Sequence, residues 1–266
     1  MPGRLVPVAD PDRASHHRGA VATAAGGERE RLARRAGIRE VVFGVQDGLL
    51  TTLGLTTGVA TATAGAAVAH TTILIAGLVG ALAGMISMGT GAYLATSAAR
   101  DLKHAAIHKE RDELESRPEE ELVEMVAMLR DRGVPDEDAQ KIASALARHP
   151  RLWEETHIEK ELGIPSQLQD RPVKDGLLMA LTFVLGATFP VLPYILLSGV
   201  AAVITSLVLS AVGLVVVGLL KSAVIGQRLY VGGFQVLLVG AAAAVGGYVL
   251  GVLLPHLFGL RLPGAA

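Results

Sequence analysis

The chain reads as an all-α integral membrane protein: five transmembrane helices, with a helical cytoplasmic domain inserted between spans two and three. Long uncharged stretches, one concentrated acidic block and the lack of any strand pattern point to this architecture. Of the 266 residues, 51% are hydrophobic, and the mean hydropathy is +0.46. Charged residues make up 18%, below the roughly 25% of a typical soluble domain. The formal net charge of −1 hides a strong segregation. Residues 48–99 contain no Asp, Glu, Lys or Arg, and residues 176–266 contain no acid and only Lys221, Arg228 and Arg261 as bases. Of the 25 acids, 19 lie between Asp101 and Asp175, against 12 Lys and Arg in the same segment.

Residues 1–35, rich in Ala, Gly, Arg and His, are expected to form a disordered cytoplasmic tail. They contain no apolar run, so no signal peptide is expected. A helix needs about 20 apolar residues to cross a bilayer, and five stretches qualify: 41–65, 72–98, 176–197, 199–220 and 233–255. Spans one and two fall within residues 36–99, spans three to five within 173–258, and 259–266 form a short tail. The first span carries "GLTTGVATATAG", whose small residues suit close helix packing in lipid. In the third, Pro190 and Pro193 are expected to end the helix and form the tight turn into the fourth.

Orientation follows the placement of Lys and Arg. The N-terminal tail has eight Arg up to Arg39, the connection near His70 has none, Arg100 and the acidic block follow span two, the connection at Pro193 has none, and Lys221 and Arg228 lie between spans four and five. This alternation predicts a cytoplasmic N-terminus, a cytoplasmic insertion over residues 100–172 and an external C-terminus. The insertion is helical throughout. Span two continues through "ATSAARDLKHAAIHKERDELES" without Gly or Pro. Pro118 opens a second helix that Gly133 closes, Pro135 opens a third with acids in its first turn, and Pro150 opens a fourth that ends at Gly163 and Pro165.

The insertion also holds a metal-ligand pattern. Glu110 and Glu113 are spaced i, i+3, and Glu121 and Glu124 repeat that spacing beyond the Pro118 break. Each pair shares a helix face, and antiparallel packing would bring the four carboxylates together. Such a cluster repels itself unless cations fill it. On the last helix Glu154, His157 and Glu161 again share a face, and an imidazole among carboxylates suits iron, manganese or zinc better than calcium. The bland alternative is a solvated acidic face. His104 and His108 are i, i+4, but read as a surface pair.

Two spans carry candidates of their own. Asp47 lies inside the first, where a carboxylate costs at least about 2.5–3.5 kcal/mol near the bilayer centre, less toward the end; an ion or proton site is the default reading, and a cap or hydrogen bond within the bundle is the plain alternative. Glu40 is seven residues earlier, on the same face. Met85 and Met88 lie one turn apart on the second span; a thioether is a soft neutral ligand, and Met is also an ordinary packing residue. The chain has no Cys, which excludes disulfides, thiolate ligands and a Cys nucleophile. It shows no phosphate-binding loop, no Ser/His/Asp arrangement and no basic aromatic stripe for nucleic acid.

"REVVFGVQDGLLTTLGLTTGV", "ISMGTGAYLATSAARD" and "LTFVLGATFPVLPY" resemble the first, second and third spans of the vacuolar iron transporter family, over about residues 36–258. The resemblance implies a five-helix homodimer that moves Fe²⁺ out of the cytosol against inward proton flow, with the pore lined by the first helices. By this resemblance Asp47 and Met88 are the intramembrane acid and methionine, and Glu40 an acid near the cytosolic mouth. Glu110, Glu113, Glu121, Glu124 and Glu161 match the carboxylates of its cytosolic metal-binding domain. The chain departs from the family pattern at Ala92, where many relatives have Glu, and at His157 and Ile158, where some have paired methionines. His157 can replace a methionine as ligand.

The expected function is therefore a proton-coupled transporter of ferrous iron, with manganese as a second cargo and Zn²⁺ and Co²⁺ as further ions the sites accept. It would be no enzyme, hold no prosthetic group and bind no nucleic acid. Its partners would be divalent ions, protons, the lipid bilayer and a second copy. The Ala-, Gly-, Val- and Arg-rich composition without Cys points to a bacterial inner membrane. Two alternatives remain open. "EETH" is one Glu-x-x-His motif, where a ferritin-like di-iron oxidase uses two; a metal sensor without a pore would leave Asp47 unexplained.

Overall fold

The computed structural model describes residues 37–38, 40–66, 68–163 and 170–259. The expected N-terminal tail, Pro165 and most of the C-terminal tail lie outside the described residues. Among the described residues there are eight helices and no strand: α1 (40–62), α2 (Ala69–Ser116), α3 (Pro118–Asp131), α4 (Asp136–Ala147), α5 (Pro150–Lys160), α6 (Pro172–Leu196), α7 (Gly199–Ile225) and α8 (Leu229–Leu257). The described residues up to Gly89 and from Leu177 form one compact unit; those of Thr90–Gly176 form the other.

The first unit is built to sit in lipid. Four of its helices, α2, α6, α7 and α8, are long and apolar enough to cross a membrane. Large apolar side chains such as Leu82, Ile86, Leu181, Leu185, Val208 and Leu238 point outward, as they do where the solvent is acyl chain rather than water. The helix α1 carries many threonines, and these satisfy themselves: Thr56 donates to the Thr52 carbonyl at 2.8 Å, Thr61 to Thr57 at 2.8 Å and Thr63 to Val59 at 2.7 Å. Back-bonding of this kind lets a hydroxyl sit in a dry bundle.

Glycines let the backbones close up. A Cβ on Gly218 would lie 2.4 Å from the Gly232 carbonyl, so α7 and α8 meet backbone to backbone there. Gly54 and Gly58 of α1 meet Gly247 and Gly251 of α8 in the same way. A core of Leu49, Leu53, Leu214 and Val236 joins α1, α7 and α8, and Ile73, Tyr194 and Ala202 join α2, α6 and α7.

One expectation fails. Pro190 and Pro193 do not end the third apolar span: α6 runs through both to Leu196, and the turn into α7 is at Leu197 and Ser198. Stopping at Pro190 would leave a full turn of backbone groups facing lipid, whereas continuing forfeits only the bonds the two proline nitrogens cannot make. The Ser206 hydroxyl of α7 donates to the Pro190 carbonyl at 2.7 Å and ties this turn to its neighbour.

The second unit takes the far end of α2 together with α3, α4 and α5. The unbroken helix expected from the sequence past Arg100 is present, as α2 runs to Ser116. Pro118 occupies the first turn of α3, and Gly133 closes it at φ +87, a backbone region that favours glycine. Packing of α3 on α4 and α4 on α5 encloses a small core of Met125, Ala143 and Trp153, ringed by Leu114, Leu122, Val126 and Leu146.

Candidate metal centre

Three helices of the second unit bring four ligating side chains together. Glu110 comes from the last turns of α2. Glu121 comes from the first turn of α3, placed there because Pro118 starts the helix and three glutamates follow it. His157 lies one turn beyond Trp153 on α5, and Glu161 caps that helix. One donor atom from each of the four lies within 4.8 Å of all the others. Ligands bonded at ~2.1 Å around one ion stand about 3.4 Å apart, so a modest contraction would close the set.

The centre is dry on three sides. His157 is 0% exposed, Glu110 2% and Glu121 7%, while Glu161 stays open to solvent. The His157 Nδ1 lies 3.3 Å from Glu110 Oε1, 3.5 Å from Glu121 Oε2 and 3.8 Å from Glu161 Oε2. None of these approaches has hydrogen-bond geometry: Glu110 Oε1 and both imidazole nitrogens are buried without a partner. The Trp153 ring meets the imidazole edge-on, centroids 4.3 Å apart at 64°. An aromatic wall on one side and unpaired donors on the other leave the imidazole aimed at the carboxylates.

Electrostatics says the same. Burial, then the charge of Glu161 and a shared hydrogen bond with it, then Glu121 and Glu113, push Glu110 up to about 8. Burial, followed by the charges of Glu124, Glu161, Glu113 and Glu120, pushes Glu121 up. Burial pushes His157 down, partly opposed by Glu124, so the imidazole is neutral and does not offset the carboxylates. A neutral imidazole with its lone pair free beside three crowded carboxylates is a donor set that a divalent cation stabilises.

The remaining residues that the sequence marked out in the insertion are not in this set. Glu113 is held by Lys109 at 2.9 Å, one turn back on α2. Glu124 is exposed. Glu154 accepts a hydrogen bond from Arg111 instead of joining His157 and Glu161. His104 and His108 are exposed.

The intramembrane candidates belong to the first unit. Asp47 is half-buried on α1, with the Thr51 hydroxyl bonded to it one turn on. Met85, Met88 and Glu40 are half-buried as well. The sequence reading missed Phe183, which is 1% exposed. Its backbone carbonyl presses on Gly48, next to Asp47, and its ring covers Gly84, one turn before Met88. One α6 residue thus packs on both the helix that carries Asp47 and the helix that carries Met88. The only trace in the sequence is a pair of glycines, one near each candidate.

Comparison with known proteins agrees with the resemblance drawn from the three spans. The profile of the VIT family matches residues 38–252. Vacuolar iron transporter 2 of Oryza sativa subsp. japonica is 31% identical over 212 residues, 79% of this chain and 85% of its own length. Vacuolar iron transporter 1 of Arabidopsis thaliana is 29% identical over 220 residues, 82% of this chain and 86% of its own. A vacuolar iron transporter of Acanthamoeba castellanii is 35% identical over 120 residues, 45% of each chain.

Proposed function

The chain belongs to the VIT family, and on that premise we propose that it carries ferrous iron, with manganese as a second cargo, out of the cytoplasm in exchange for protons. The family supports metal-ion transport in a membrane; the coupling, the direction and the residue roles are our reading. The observation that carries it is the four-donor centre of Glu110, Glu121, His157 and Glu161, with an unpartnered imidazole and an unpartnered carboxylate oxygen inside it. A purely solvated acidic face would not bury these groups.

In this reading α1 is a fifth span, and residues 100–172 form a cytoplasmic domain that collects metal. Asp47 is the exchange site within the membrane. Protons and Fe²⁺ compete for one carboxylate, so loading one expels the other. Met88 adds a soft ligand that favours Fe²⁺ over hard Mg²⁺ and Ca²⁺. Glu40 draws cations toward that site, and a second copy of the chain completes the pore. The membrane is the bacterial inner membrane. Translocation makes and breaks no covalent bond. The bond between Arg111 and Glu154 weighs against a di-iron oxidase, since it turns the Glu of the single Glu-x-x-His motif away from the centre.

Proteoliposomes with an imposed pH gradient test this. Iron should accumulate on the acidic side, its uptake should collapse when a protonophore removes the gradient, and the luminal pH should rise as iron enters. Uptake indifferent to the gradient would leave a metal transporter without proton exchange.

A further inference from the structure

We propose that residues 190–196, the last turns of α6, form a hinged flap over one end of the membrane bundle, and that Ser206 and Tyr194 are positioning residues that latch it shut. The inference goes beyond the proposed exchange of metal for protons. It rests on that reading only in taking this end, which carries the α1–α2 and α6–α7 turns, as the external face where cargo leaves.

The hinge follows from two prolines. Pro190 and Pro193 have no N–H, so the carbonyls of Gly186 and Phe189 cannot accept their helical bonds. Two bonds missing within one turn make a helix easy to bend at that point. The break begins where the rest of α6 is fixed. A Cβ on Gly186 would lie 2.0 Å from the Val45 carbonyl, and one on Gly48 would lie 2.0 Å from the Phe183 carbonyl. Up to Gly186, therefore, α6 meets α1 backbone to backbone. Beyond Pro190 the contacts run through side chains. Val191 reaches Gly77 of α2 with a methyl group, and Tyr194 inserts beside Ile73 of α2 and Ala202 of α7. Leu192, Ile195 and Leu196 point outward.

The latch follows from one hydroxyl. Ser206 is 1% exposed and donates to the Pro190 carbonyl at 2.7 Å. Its single proton goes there, so its oxygen accepts from the Tyr194 phenol, to which it is hydrogen-bonded. One serine on α7 thus ties the first residue of the flap and a residue one turn on. The next hydroxyl on the same face of α7, Ser210, is 0% exposed and has no side-chain partner, so burying a serine in this helix does not by itself produce such a tie. Val59 and Ala60 of α1, Leu74 of α2 and Val203 of α7 pack around the cluster that Tyr194 joins. Swinging residues 190–196 outward would draw the ring from that cluster and open the seam between α1, α2 and α7 to water.

The chain has no Cys, so one introduced thiol reads accessibility without background. Ile73→Cys places it under the flap, at a position 5% exposed, and Met179→Cys places it on α6 before the hinge, at a position 9% exposed. The full-length protein in proteoliposomes is treated with a small water-soluble methanethiosulfonate, without metal or pH gradient. With the Ile73→Cys reporter, Ser206→Ala and Tyr194→Phe should each speed labelling about fivefold, the population change that loss of one net hydrogen bond gives. Ser210→Ala should leave it unchanged. Pro193→Ala returns an N–H donor to the Phe189 carbonyl and should slow it. The Met179→Cys reporter should be indifferent to all four. Ser206→Ala and Tyr194→Phe break the same latch from its two sides, so either carries the test if the other misfolds. Labelling at Ile73→Cys that ignores the latch variants, that is no slower in Pro193→Ala, or that rises equally at Met179→Cys overturns the proposal. None of these readings needs transport. Loss of proton exchange with the labelling pattern intact would sink the proposed function and leave the flap; normal exchange with an unresponsive pattern would do the reverse.

Discussion

The backbone carbonyl of Phe183 on α6 occupies the place where a side chain on Gly48 of α1 would have to go: a Cβ built there lies 2.0 Å from that oxygen. The contact is reciprocal one turn away, where a Cβ on Gly186 would lie 2.0 Å from the Val45 carbonyl. Both obstacles are backbone, which cannot swing aside as a side-chain end can. Gly48→Ala should therefore force the two helices apart and cost about 1–3 kcal/mol or more, seen as a lower thermal midpoint and loss of the main size-exclusion peak. Gly91→Ala on α2 meets nothing within 4 Å and should be neutral to mildly stabilising, since alanine is the better helix former. Equal effects of the two would mean that α1 and α6 do not pack this closely.

The same contact fixes the residue beside it. Asp47 is the only Asp, Glu, Lys or Arg between Glu40 and Arg100. Asp47→Asn keeps the shape and the hydrogen-bonding capacity and removes the charge. The variant should fold, load metal on the second unit as the wild type does, and move neither iron nor protons in proteoliposomes. Near-normal iron flux by Asp47→Asn would shift attention to Glu40 or another route through the bundle.

Much of this was legible in the chain because the relevant signals are local. Absence of Gly and Pro carried α2 past Arg100, and Pro118, Pro135 and Pro150 marked the starts of the short helices. Pro190 and Pro193 misled because in water a proline signals a stop, whereas in lipid the cost of freed backbone groups outweighs it. At the centre, spacing gave the pairs but not which member turns inward. Glu110 and Glu113 are equivalent until Lys109 takes one, and Glu154 was drawn off by Arg111, 43 residues away. Phe183 was invisible because its role depends on two glycines of other helices. Nothing within α6 distinguishes it from its apolar neighbours.

Proton release should accompany metal binding at the centre. Burial and neighbouring carboxylates hold Glu110 up near 8, above its ordinary 4.5. Between those values the folded chain keeps a proton that the unfolded chain releases, so this group's contribution to stability falls as pH rises through the window. The metal-free protein should thus have a lower melting midpoint at pH 8 than at pH 5.5, as far as this group is concerned. Metal must displace the same proton, so apparent affinity should rise with pH by up to about tenfold per unit below 8 and then level off. Trp153, the single tryptophan, stands against His157, so its fluorescence can report both melting and titration. In Glu110→Gln the pH slope should flatten. A wild type with no slope between pH 5.5 and 8 would mean that Glu110 titrates as an ordinary exposed carboxylate.

The two i, i+3 pairs should come apart under mutation, although the sequence presents their members as equals. Glu110 and Glu121 are buried and face His157; Glu113 is tied to Lys109, and Glu124 is exposed. Changing Glu110 and Glu121 to Gln removes two anionic ligands from the centre while keeping their size. High-affinity metal binding by the intact protein should be lost, and transport at low iron should slow without stopping, because Asp47 is untouched. Changing Glu113 and Glu124 to Gln leaves all four donors in place and removes only nearby negative charge. That variant should keep the high-affinity site with a loss of no more than a few-fold, the scale of partly screened charges at a protein surface. Its remaining binding should depend less on ionic strength than the wild type's, since long-range attraction is what it has lost. Isothermal titration with zinc at two salt concentrations, run on both double variants, reads all of this. If the two lose affinity equally, the four glutamates act as one diffuse acidic cluster, and burial beside His157 does not single out Glu110 and Glu121.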